Sequence, residues 1–142
     1  DHGAFSESID IFCGEFGNSE IDLIVGIESR GFIFGAPLAL RLGFPFAIAR
    51  KPGKLPAETV SAEYELEYGT DSVEIHKDAI KKGDRVLIID DLIATGGTAQ
   101  AVGELVTKCQ GDITGFAFLL NLAELKGSNK LKPYPVFSII DF

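Results

Sequence analysis

Two adjacent carboxylates, Asp90 and Asp91, close an apolar run in VLIIDDLIATGGT, and four residues later comes Thr95-Gly96-Gly97-Thr98. Glycines between a strand and a helix let the backbone come close to a ligand. The loop amides and the helix N-terminus then face an anion, and the hydroxyls of Thr95 and Thr98 add donors. The stretch lacks the Gly-Lys-Ser/Thr ending of a P-loop. A phosphate placed on top of the two aspartates would be repelled, whereas hydroxyl groups or a divalent cation beside them would be held. The spacing therefore predicts a ligand with a phosphate at one end and a diol, with or without Mg2+, at the other. A ribose 5-phosphate has that shape.

Charge elsewhere points to a second anionic group. Arg50, Lys51 and Lys54 fall within five residues, whereas positions 58 to 74 carry six acidic side chains and no basic one. The net charge of −8 argues against nucleic acid as a partner. Cys13 and Cys109 have no metal-ligand spacing and read as free thiols of a reducing cytoplasm. His2 and His76 are read as a chain-start residue and a surface residue. No apolar run is long enough to span a bilayer, and the start shows no basic-then-apolar leader.

These groups need elements to position them. LIVGI (23 to 27), PFAIAR, VLIID (86 to 90), GFAFLLNL and VFSIID are short and continuously apolar, as buried strands are. Helical spacing links Phe5, Ile9, Phe12 and Phe16. A second helix is expected from about Phe34 to Leu42, ending at Gly43. A third carries Val102, Leu105, Val106 and Cys109 on one face and stops at Gly111. VSAEYELEYG (60 to 69) alternates strictly, which predicts a strand with one wet face in an exposed flap hairpin. The sum is an α/β fold, a mostly parallel central sheet flanked by helices, in one domain of 142 residues. Ligands of such sheets bind at the carboxyl ends of the strands, so ESRG, RKPGK and DDLIATGGT should converge.

VLIIDDLIATGGT resembles the PRPP-binding motif of type I phosphoribosyltransferases. With GIESRGFIFG, RKPGKLP and YELEYG in the same order and spacing, the chain is similar to the adenine phosphoribosyltransferase family, and NLAELKG and VFSIID extend the likeness. The resemblance implies transfer of the 5-phosphoribosyl group from PRPP to adenine, giving AMP and pyrophosphate in purine salvage, with Mg2+ as cofactor. It implies that Ala94, Thr95, Gly96, Gly97 and Thr98 hold the 5-phosphate and that Asp90 and Asp91 hold the ribose hydroxyls. Mg2+ would be bound mainly through PRPP, near the same two acids. Ser29 and Arg30 match the family's pyrophosphate loop, with a cis peptide expected at Glu28–Ser29. Arg50, Lys51 and Lys54 match basic residues near the pyrophosphate or the flap. Glu67 is the candidate catalytic carboxylate, with Tyr68 beside it on a flap that closes over the reacting centre. Ala94 and Leu122 are the candidate neighbours of adenine. A homodimer in the cytoplasm is implied as well.

The match departs in two places. The family's N-terminal hood over the base is expected to be missing from residues 1 to 142, and Asn121 stands where the family often has a glutamate. Two alternatives remain: a PRPP- or nucleotide-binding regulator without turnover, and a transferase for another purine base.

Overall fold

The computed structural model describes residues 1–142. Its elements are α1 (His2–Phe16), β1 (Leu23–Ile27), α2 (Gly31–Leu42), β2 (Phe46–Ala49), β3 (Thr59–Leu66), β4 (Gly69–His76), β5 (Arg85–Ile93), α3 (Gly97–Lys108), β6 (Asp112–Asn121) and β7 (Val136–Asp141). Two 3-10 turns, Ala123–Leu125 and Gly127–Leu131, join β6 to the last strand. Five strands form one sheet in the order β2-β1-β5-β6-β7, and every pairing in it is parallel. β3 and β4 form a separate antiparallel hairpin. The expected α/β architecture with a flap hairpin is what the chain adopts.

Successive side chains of a strand point to opposite faces, so continuously apolar strands must be covered on both sides. Val25, Val86 and Ile88 pack with Val102, Leu105 and Val106 of α3 on one face. Ile24, Leu87 and Ile89 pack with Phe12 of α1 and Leu38 of α2 on the other. The hairpin joins the α3 layer through Ala62, Val73 and Ile75, so its lower half is core and only its upper half is free.

Several boundaries moved, each for a local reason. α2 begins at Gly31, three residues before the expected Phe34, because the turn after β1 runs straight into the helix. Its end is at Gly43 as expected, in the left-handed conformation (φ 75°). α3 stops at Lys108, and it is Gln110, not Gly111, that takes positive φ (64°). Gly111 is a matter of space instead: a Cβ there would come within 2.9 Å of Ile80 Cγ2 and 3.0 Å of Val106 Cγ1. β5 continues past Asp90 to Ile93, pairing Leu92 with Leu120 and Ile93 with Asn121, so both aspartates sit inside the strand's end and not in a loop. His76 is half-buried, and its Nε2 is enclosed without a hydrogen-bond partner, which corrects the surface reading. Cys13 and Cys109 are unpaired and half-buried.

Candidate active site

Parallel order puts the carboxyl ends of β1, β2 and β5 at one edge, and the three polar segments meet there. Behind Asp90, α2 starts so close to β5 that a Cβ on Gly31 would lie 2.8 Å from the Ile89 carbonyl oxygen and 3.1 Å from Asp90 Oδ1. Only glycine permits that approach, and it encloses the carboxylate. Asp90 Oδ1 accepts the Asp91 N–H at 2.8 Å, while Asp91 Oδ2 accepts Arg30 Nε at 2.5 Å. Burial pushes the Asp90 carboxyl up to about 8. The Asp91 amide opposes this, the Asp91 carboxylate adds to it, and the Arg30 guanidinium offsets part of it.

A hollow of about 120 Å3 opens beside the pair, lined by Asp90 and the run Leu92–Ala99. Gly96 holds positive φ (84°) at the N-terminus of α3. No protein acceptor takes the N–H of Thr95, Gly96, Gly97, Thr98 or Ala99. Five consecutive unpaired amides at a helix N-terminus, lining one hollow, form an anion site built from backbone.

The basic residues gather around a carboxylate that sequence reasoning passed over. Glu28 is nearly buried, its side chain 11% exposed, and it takes Arg50 Nε at 3.3 Å, the Lys51 amide at 2.8 Å and the Lys54 ammonium. Burial alone would raise its pKa, but the Lys54 ammonium, the Lys51 amide and the Arg50 charge outweigh that and leave it below the usual glutamate value. The Glu28–Ser29 peptide is cis, as the resemblance implied. Ser29 and Arg30 follow it as exposed residues of the turn into α2.

Lys51 reaches the other way, to the hairpin. Its ammonium contacts the Tyr64 hydroxyl and sits 2.5 Å from Asp71 Oδ2, and Tyr64 and Asp71 face each other across β3 and β4. Glu74 completes the attachment: its backbone bridges Arg50, and its carboxylate accepts the Gly53 N–H at 2.8 Å and the Thr59 hydroxyl at 2.5 Å. The hairpin is thereby fastened to the 50–54 segment.

The wet face predicted for this hairpin holds for Ser61, Glu63 and Glu65, and the inner face for Val60, Ala62 and Tyr64. The alternation fails at the tip. Leu66 is 51% exposed, and Glu67 and Tyr68 form the two-residue turn instead of continuing the strand. Tyr68 is 91% exposed, and Glu67 makes no hydrogen bond or ion pair. The structure does not bring this pair against the aspartates. It does bring β3 over the loop, since a Cβ on Gly97 would be 3.9 Å from the Glu65 carbonyl oxygen.

The Leu122 N–H donates to Ile93 O at 3.0 Å, which ties Leu122 to the residue before Ala94. Asn121 donates to Asp141 Oδ1 at 3.1 Å, which also accepts the Ser138 hydroxyl. A cavity of about 510 Å3 lies elsewhere, between α3 and Lys130–Tyr134, and contains none of these residues.

No group of three or more His, Cys, Asp or Glu is placed to enclose a metal ion. Asp90 and Asp91 alone suit Mg2+ that arrives on a phosphate ligand, because Mg2+ keeps waters and takes only one or two carboxylates.

The phosphoribosyl transferase domain model matches residues 8–142. The chain belongs to the adenine phosphoribosyltransferase family. It is 56% identical to adenine phosphoribosyltransferase of Clostridium botulinum over 135 residues, which covers 95% of this chain and 78% of that relative. The solved structure of adenine phosphoribosyltransferase from Thermoanaerobacter pseudethanolicus superposes with a TM-score of 0.97 at 54% identity, covering 100% of this chain and 83% of that one. The enzyme of Trypanosoma brucei, solved with AMP, pyrophosphate and ribose-5-phosphate, superposes with a TM-score of 0.92 at 30% identity, covering 99% of this chain and 65% of that one. Within this phosphoribosyltransferase fold, the five amides and Asp90 line one hollow.

Proposed function

We propose that this member of the family transfers the 5-phosphoribosyl group of PRPP to adenine, giving AMP and pyrophosphate in purine salvage. One observation carries the reading: five unpaired amides line a hollow that also includes Asp90, in a chain 56% identical to an adenine phosphoribosyltransferase.

The roles follow from the chemistry of each group. Residues 94–98 take the 5-phosphate on their amides, and the hydroxyls of Thr95 and Thr98 add donors. Asp90 and Asp91 accept the ribose hydroxyls. The bond from C1 to the pyrophosphate oxygen breaks and the bond to a purine nitrogen forms. Arg30, Arg50, Lys51 and Lys54, with Ser29, receive the departing charge. Asp90 and Asp91 would lie beside Mg2+ carried in with PRPP, and the ion would supply neutralisation of part of that charge. Glu67 takes the proton that leaves the purine and faces the positive charge developing at C1, once the hairpin tip closes with Tyr68. Ala94 and Leu122 flank the base.

A homodimer in the cytoplasm completes the reading. Ile33 of α2 is 52% exposed and Leu40 is 84% exposed, apolar area that a second copy would cover, and two unpaired thiols persist where the compartment is reducing. The test is an assay of the protein with PRPP, Mg2+ and each purine or pyrimidine base in turn. AMP formed from adenine is the expected result. PRPP binding with no nucleotide from any base would overturn it.

A further inference from the structure

The 5-phosphate loop rests on a second stretch of backbone. Gly127, the first residue of the turn Gly127–Leu131, is buried. A Cβ on Gly127 would lie 2.3 Å from the Ala94 carbonyl oxygen and 3.0 Å from both Gly96 N and Ile93 Cγ1. From the other side, a Cβ on Gly96 would lie 2.4 Å from the Gly127 carbonyl oxygen. Two peptide segments thus press together with no side chain between them. The contact falls on the residues whose amides line the hollow. A second tie lies five residues earlier, where the Leu122 N–H bonds Ile93 O at 3.0 Å. Downstream, Leu131 is 2% exposed and anchors the turn in the core.

We propose that Gly127 is a positioning residue for the sugar-phosphate site. It touches no ligand. By having no side chain, it lets the segment after β6 fix the carbonyl of Ala94 and the amide of Gly96, so the amide array is set before the phosphate arrives. The proposal rests on the reading of residues 94–98 as the 5-phosphate site. An added methyl meets two backbone atoms and cannot be absorbed by a rotamer, so the loop must move by about 1 Å, a displacement that costs up to about 100-fold where geometry carries binding.

The test compares Gly127→Ala with Gly111→Ala, a control whose Cβ would also be crowded (2.9 Å to Ile80 Cγ2) but at the opposite end of the sheet. Gly127→Ala is expected to raise the KM for PRPP about 10- to 100-fold and leave the KM for adenine within about twofold. Gly111→Ala is expected to lower the melting temperature without moving either KM. Equal PRPP KM values for the two variants would overturn the proposal. If Gly127→Ala does not fold, Leu131→Ala loosens the same turn without a clash. In that variant the PRPP KM rises and amide exchange at residues 95–99 quickens; no change in either overturns the proposal. Ribose 5-phosphate added to the unmodified protein separates the two readings. If it fails to slow exchange at residues 95–99, the site assignment falls, and the positioning role with it. If it slows exchange and Gly127→Ala alters nothing, only the positioning role falls.

Discussion

Replacing Asp90 by Asn should make the ligand-free protein more stable and the enzyme worse. Asn keeps the shape and the acceptor that holds the Asp91 N–H, but carries no charge. Burial raises the Asp90 carboxyl from 3.8 to about 8 in the folded chain. A raised acid favours folding at low pH, where both states are protonated. That contribution is lost as pH climbs from the unfolded value through the folded one. At pH 7 the folded protein retains a proton that the unfolded chain releases, which amounts to at most about 4 kcal/mol. Solvent reaching the half-buried site reduces this, so Asp90→Asn is expected to gain about 1–3 kcal/mol, or roughly 3–10 °C in Tm, near pH 7. The gap should narrow toward pH 5. Glu28, Asp71 and Glu74 are held below their ordinary values, so they act at more acid pH and leave this window clear. Thermal melts of both proteins from pH 5 to 8 measure the gap. AMP formation should fall about 2- to 10-fold, the worth of a neutral hydrogen bond to a ribose hydroxyl, because Asp90 keeps its proton at pH 7. An Asn variant that melts no higher at pH 7, or whose advantage does not shrink toward pH 5, would refute the burial argument.

Glu67→Gln should lower kcat by about 10²–10⁴-fold with PRPP binding and Tm intact, because the residue is exposed and unbonded at the hairpin tip; unchanged turnover removes its role. Glu28→Gln should cost about 1–2 kcal/mol at neutral pH by unpairing Lys54 and Arg50, and denaturant melts should show that cost vanishing as acid protonates Glu28 in the parent protein. The direction follows from its lowered carboxyl, whose stabilisation is present above 4.5 and is lost as pH falls through the folded value. Asp71→Asn should free Lys51 and speed amide exchange in β3 and β4 while the five-stranded sheet stays protected; uniform exchange across both would show that this ion pair does not fasten the hairpin.

What the sequence determined alone was whatever short-range chemistry encodes. Apolar runs such as VLIID must be buried on both faces, which gave the parallel sheet. Asp90-Asp91 followed by Thr-Gly-Gly-Thr pointed to an anion loop beside paired carboxylates, and the structure places Asp90 and that loop around one hollow. Period-two alternation identified the hairpin as far as Glu65, and Gly43 marked its helix end. Tertiary structure decided whatever depends on segments far apart in the chain. Nothing near Glu28 in sequence shows that it gathers Arg50 and Lys54, and nothing near Asp91 announces Arg30. The tip of the hairpin escaped the alternation because Leu66 has no core beneath it, which leaves Glu67 in a turn. Gly127 looks like any loop glycine until Gly96 is found against it. Pattern reports what each segment needs from its surroundings, and only close approach of backbone to backbone and charge to charge determines which partner supplies it.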